Sequence, residues 1–143
     1  MKEPSIIIGG VHVDERGKLS FFNDFDMHGV KRFYIIENSS QEMKRGWRAH
    51  KLETRWFAVC EGEFSICTIK VTDWKSPDPL AKQKSFLLKY SEGKMLSIPP
   101  GHAFCLQAIL PHSKILVFAD SKIEDAGIDE YLFPLDYFKE NQS

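Results

Sequence analysis

The sequence predicts an all-β fold, a single sandwich or barrel of short strands spanning residues 1–143. Two observations carry that expectation. Runs rich in Ile, Val, Phe and Tyr recur along the chain at intervals of about ten residues, and nearly every run is closed by glycine, proline or asparagine. The length suits one domain, long enough to bury roughly two-thirds of its unfolded surface in one core.

Residues 5–8 form an apolar, β-branched run stopped by Gly9-Gly10, and 11–13 continue it up to the turn Asp14-Glu15-Arg16-Gly17. A strand is expected over 18–23, before the polar stretch 24–29. Residues 31–37 (Lys-Arg-Phe-Tyr-Ile-Ile-Glu) are dense in β-formers and are bounded by Asn38-Ser39-Ser40. The runs 56–60 and 63–71 flank Glu61-Gly62, a turn pair that predicts a hairpin. Pro77 and Pro79 make 72–83 a surface loop. Strands over 84–90, 94–98, 103–109 and 113–119 follow, each set off by Gly or Pro. Only 124–139 has helical spacing, with Ile128, Tyr131 and Leu132 on one face, and Pro134 limits it to two short pieces.

A net charge of -1 supplies no electrostatic attraction for nucleic acid or an anionic membrane. No apolar stretch approaches the roughly 18 residues of a membrane helix, and the first ten residues are too short an apolar run for a signal peptide, so a cytoplasmic protein is expected. Cys60, Cys67 and Cys105 lie within apolar runs without CxxC spacing, which predicts buried free thiols rather than disulfides or zinc ligands.

The chemistry concentrates in Arg45-Gly-Trp-Arg-Ala-His-Lys-Leu-Glu-Thr-Arg55, which packs three guanidiniums and an imidazole ahead of a run that must be buried. Desolvating such groups is costly unless an anion or hydrogen-bonding group meets them. Two spacings narrow the fold to a jelly-roll barrel of the cupin type. Gly93, Pro99 and Gly101 match the framework of the second cupin motif, with Phe104 at its histidine. Counting back from Gly62, Arg55 falls at the glutamate of the first motif, and Arg48 and His50 at its two histidines. A divalent metal needs imidazoles and carboxylates, and guanidiniums that never deprotonate repel it. No metal is therefore expected, and Arg48, His50 and Arg55 suit an anion instead: a phosphate, a carboxylate or an enolate.

Several segments resemble the dTDP-4-keto-6-deoxyglucose 3,4-ketoisomerases, small WxcM-like cupins of deoxysugar pathways. They are Asp14-Glu-Arg-Gly17, Lys31-Arg-Phe-Tyr-Ile-Ile, Arg45-Gly-Trp-Arg-Ala-His-Lys51 and residues 125–138, and the similarity extends over about residues 10–139. Residues 71–77 and 96–101 also resemble the related dTDP-4-dehydrorhamnose 3,5-epimerases. The resemblance implies a nucleotide-sugar isomerase with a dTDP-linked substrate, no cofactor, and a homodimer. His50 would shuttle the proton through an enediolate, and Arg48 and Arg55 would stabilise its oxygens. Arg45 or Arg32 would meet the pyrophosphate, Tyr34 and Trp47 would stack on base or sugar, and His102 would line the barrel mouth as a second proton carrier. Arg48 replaces the first histidine of the ketoisomerase motif. The epimerase acid would fall near Val117 or Phe118, neither of which donates a proton. Alternatives are an epimerase-like enzyme or a lapsed cupin that only binds a nucleotide sugar. Locally, His50 also suits a hydrogen-bonded core histidine, Tyr34 and Trp47 suit core or interface positions, His102 suits a solvated turn, and Arg45, Arg48 and Arg55 suit ion pairs with Glu42, Glu53 or Glu61.

Overall fold

The computed structural model describes residues 2–139. Two five-stranded antiparallel sheets face one another. The first runs, in spatial order, β1 (Ser5–Ile8), β9 (Lys94–Ile98), β6 (Arg55–Glu61), β11 (Lys114–Ala119) and β4 (Arg32–Glu37). The second runs β12 (Tyr131–Leu132), β5 (Lys44–His50), β10 (His102–Ala108), β7 (Glu63–Lys70) and β8 (Gln83–Lys89). A separate hairpin joins β2 (Gly10–Asp14) to β3 (Gly17–Phe21) through the predicted turn. This is the expected jelly-roll barrel, and the ends of the expected strands fall within two residues of those anticipated; β5 and β12 are strands beyond them. No helix among the described residues is long and apolar enough to cross a membrane.

Alternation along the strands builds the interior. Phe57, Phe64, Ile66, Leu96, Ile115 and Val117 are fully buried between the sheets. A second apolar layer covers the outer face of the second sheet, where Trp47, Ala49, Ile69 and Ala103 pack beneath Phe138 with help from Tyr131 and Phe133. Around Ala49 and Ala103 both faces of the second sheet are covered, which explains their zero exposure.

Three expectations need correction. β6 and β7 do not form a hairpin: β6 pairs with β9 and β11, and β7 with β10 and β8. Glu61-Gly62 is instead a corner carrying the chain from one sheet to the other. Gly62 has φ +76°, and a Cβ there would lie 2.1 Å from Ser113 Oγ. That hydroxyl cannot retreat, because it donates to the Leu110 carbonyl at 2.8 Å and accepts the Glu63 N–H at 3.0 Å. Gly62→Ala is therefore expected to cost about 2–3 kcal/mol of unfolding free energy, checked by chemical denaturation.

The tail keeps the expected short helical segment, but only in its first part. One turn, α1 (Ile123–Ala126), leads into a 3-10 turn, and the chain then extends as β12 along the edge of β5. Edge backbone groups drive this choice, since they need partners that a helix would not supply: the Trp47 N–H donates to the Phe133 carbonyl at 3.2 Å and the Phe133 N–H to the Trp47 carbonyl at 2.9 Å. Ile128 consequently stands 82% exposed, away from Tyr131 and Leu132. Of the thiols, Cys105 is buried but Cys60 and Cys67 are half-buried, on strands with one partly open face. Burial, with the Cys67 thiol opposite as a lesser cause, pushes Cys105 up to about 11.

Candidate functional site

The alternation of β5 turns Arg48 and His50 toward the barrel interior and Trp47 and Ala49 outward. Across the interior, β6 contributes Arg55 and Phe57, β4 contributes Tyr34 and Ile36, and β10 contributes Phe104 and Leu106. Together with Arg45, Arg48 and Leu132 these residues line a cavity of about 240 Å³. Arg45 is exposed and has no ion-pair partner among the described residues. Arg48 Nε meets Glu130 Oε1 at 3.0 Å. Arg55, only 4% exposed, places Nε 3.1 Å from Glu53 Oε2 and donates from Nη1 to the Tyr34 hydroxyl at 2.5 Å.

Behind this wall a buried carboxylate gathers the charges. Glu53 Oε1 accepts Arg32 Nη2 at 3.1 Å and Ser121 Oγ at 2.5 Å, while Oε2 accepts Arg55 Nε and lies 3.3 Å from His50 Nδ1. Three backbone N–H groups, of Lys51, Leu52 and Glu53, donate to the Asp129 carboxylate at 2.8, 2.9 and 2.9 Å. That cap folds the connection 51–54 into the bend that returns Arg55 to the neighbourhood of His50.

His50 is 3% exposed, and its Nδ1 sits 2.9 Å from the Asp129 carbonyl oxygen. A carbonyl only accepts, so Nδ1 carries the hydrogen and Nε2 keeps its lone pair. Nε2 is buried and has no hydrogen-bond partner among the described residues. Burial first, and the Arg55 charge second, hold the imidazole below its ordinary 6.5. His50 does not itself line the cavity: it lies behind Arg55 and Phe104, the latter ring 5.9 Å away. A titration of its ring protons is expected to give a midpoint below 6.5. Because the unfolded imidazole binds protons more readily, this part of the stability is whole above pH 6.5 and lost as pH falls toward the native value. His50→Asn should remove that slope from the pH dependence of unfolding.

The candidate residues thus separate. Arg45, Arg48, Arg55 and Tyr34 share the cavity. Arg32 turns instead to Glu53, with its Nε buried and unpartnered among the described residues. Trp47 faces the opposite side of β5, edge-on to Phe138 at 5.1 Å. His102 pairs across the ladder with His50 but is held at the strand end, its Nδ1 3.2 Å from the Pro99 carbonyl oxygen. Of the ion pairs considered, Arg55–Glu53 is present; Glu61 pairs with Lys114 instead. Sequence reasoning missed Asp129 and Glu130. Their partners lie more than seventy residues away, and no local spacing could announce them.

Tyr34 stands directly across the ladder from Val117, one of the positions where the epimerase resemblance called for an acid. A phenol therefore occupies the cavity one strand away from that position.

Among solved structures, the chain resembles the QdtA 3,4-ketoisomerase from Thermoanaerobacterium thermosaccharolyticum, a double mutant in complex with TDP: 20% identity, TM-score 0.70, 92% of this chain and 88% of that one. A 3,4-ketoisomerase from Helicobacter canadensis matches with 18% identity and TM-score 0.71 over 96% of both chains. The dTDP-4-dehydrorhamnose 3,5-epimerase from Bacillus anthracis, with TDP and PPi bound, matches with 14% identity and TM-score 0.75 over 93% of this chain and 79% of that one. At these identities the likeness establishes the shared fold. No curated protein matches. The family model FdtA, described as WxcM-like, C-terminal, matches residues 5–142, nearly the whole length, and the chain therefore belongs to the WxcM-like, C-terminal family.

Proposed function

We propose that the protein is a nucleotide-sugar isomerase of the 3,4-ketoisomerase type, acting on a dTDP-4-keto-6-deoxyhexose. The observation that carries this reading is the His50 imidazole: anchored at Nδ1, held neutral, with an Nε2 that has no partner among the described residues and lies directly behind a cavity that gathers three guanidiniums. Complexes of fold relatives with TDP support the choice of nucleotide.

In this reading Nε2 removes the proton from C3, and the electrons move into an enediolate with negative charge on oxygen. Arg48 and Arg55 stabilise that charge inside a site shielded from water. A proton returns at C4 while the hydroxyl proton passes from O3 to O4, so the carbonyl moves from C4 to C3. Only protons move, and the conversion needs no redox cofactor. The Tyr34 hydroxyl, bonded to Arg55, is a second group able to exchange a proton with the sugar. Arg45, exposed at the rim, meets the diphosphate. For Nε2 to reach C3, the Phe104 ring turns aside as the sugar enters.

A second reading, a cupin that binds a nucleotide sugar without turning it over, is favoured by Arg48 in place of a histidine and by the seclusion of His50. Incubation with dTDP-4-keto-6-deoxyglucose in deuterated water separates the readings. Deuterium at C3 or C4 is expected; label at C5 would mark an epimerase, and binding without label would leave only the binder. The active form is proposed to be a homodimer, in keeping with Phe33 (63% exposed) and Ile35 (58%) on the outer face of edge strand β4. Light scattering should return twice the mass of one chain.

A further inference from the structure

A second recess lies at the opposite end of β5 from Arg45, where β5 and β7 end and β10 begins. Its volume is about 580 Å³, and it shares no lining residue with the barrel cavity. Lys2, Lys51 and Lys70 surround it, Trp74 and Pro100 form apolar walls, and His102 closes one side.

Two independent features mark this recess as built for a ligand. The first is uncompensated charge: its lining holds three lysines and no carboxylate, and none of the three makes an ion pair among the described residues. Such a concentration of one sign draws in an anion. The second is the aromatic wall. Lys51 Nζ lies 5.3 Å from the Trp74 ring centroid, and the indole is braced by Tyr131 at 4.8 Å.

We propose that this recess binds a small phosphomonoester carrying a flat organic group. The lysine ammoniums surround the phosphate oxygens, and the organic group lies on Trp74 between the prolines. The volume falls in the range of small-molecule sites. This site is independent of the isomerase reading, because it uses none of the cavity residues.

Calorimetric titration of the full chain with inorganic phosphate and with phenyl phosphate tests it. Phenyl phosphate is expected to bind saturably and about tenfold more tightly than phosphate, and the K51M/K70M variant to weaken it by about tenfold or more. R45M/R48M, altered only in the barrel cavity, removes phosphate binding there and should leave the component that is sensitive to K51M/K70M within about twofold. Circular dichroism melts confirm that each variant is folded. Absence of saturation up to about 10 mM, or binding that survives K51M/K70M and disappears in R45M/R48M, overturns the proposal.

Discussion

Replacing His50 by asparagine lowers turnover of a dTDP-4-keto-6-deoxy sugar by about 10²–10⁴-fold, the usual contribution of a positioned general base. Asparagine is the informative replacement. Its amide nitrogen falls close to the place of Nδ1 and can still donate to the Asp129 carbonyl, so the bend at 51–54 keeps its anchor. What disappears is Nε2, the atom that has no hydrogen-bond partner among the described residues. Affinity for thymidine diphosphate should stay within about threefold, since the arginines that would hold it are untouched. Wild-type activity should persist below pH 6.5, because burial and Arg55 keep the imidazole unprotonated there. An asparagine variant that still exchanges solvent deuterium into the sugar at a near-normal rate would remove His50 from the mechanism and shift attention to Tyr34.

The second large effect concerns stability. Glu53→Gln is expected to cost about 3–5 kcal/mol, the usual consequence of removing one member of a buried charge network. The carboxylate is 3% exposed and faces two guanidiniums, a hydroxyl and an imidazole. The amide keeps the shape but loses the negative charge, and one of its ends presents N–H groups to donors that need an acceptor. Arg55, itself nearly inaccessible, is left as an unbalanced cation with only the Tyr34 hydroxyl beside it. For a chain of this size the loss corresponds to a fall in Tm of roughly 6–20 °C, at about 2–4 °C per kcal/mol. Activity should fall as well, because the Glu53 charge opposes the two causes that lower the His50 pKa. A variant melting within about 2 °C of wild type would show that the network adds little beyond a hydrophobic substitute.

Much of the architecture was legible from local pattern. Strands β4, β9 and β11 are written in short continuous runs of apolar and β-forming residues, and the glycines and prolines between the runs mark the turns whatever the rest of the chain does. The paired cupin spacings placed Arg48, His50 and Arg55 in one neighbourhood, and Arg55 does act on His50. Alternation along β5 sets Trp47 on the face opposite Arg48, and the tail that covers it carries no local sign of where it docks.

What the amino-acid order determined alone was where strands begin and end, which side chains share a strand face, and that cationic groups stand where a metal site would otherwise be. Each of these follows from backbone preference and side-chain alternation over a few residues. Only the tertiary structure decided that Glu61-Gly62 crosses between sheets, that Phe104 screens His50, and that Asp129 anchors it from 79 positions along the chain. Those outcomes depend on which distant backbone and side-chain groups find one another as the core closes, a competition among long-range partners that no short window of sequence contains.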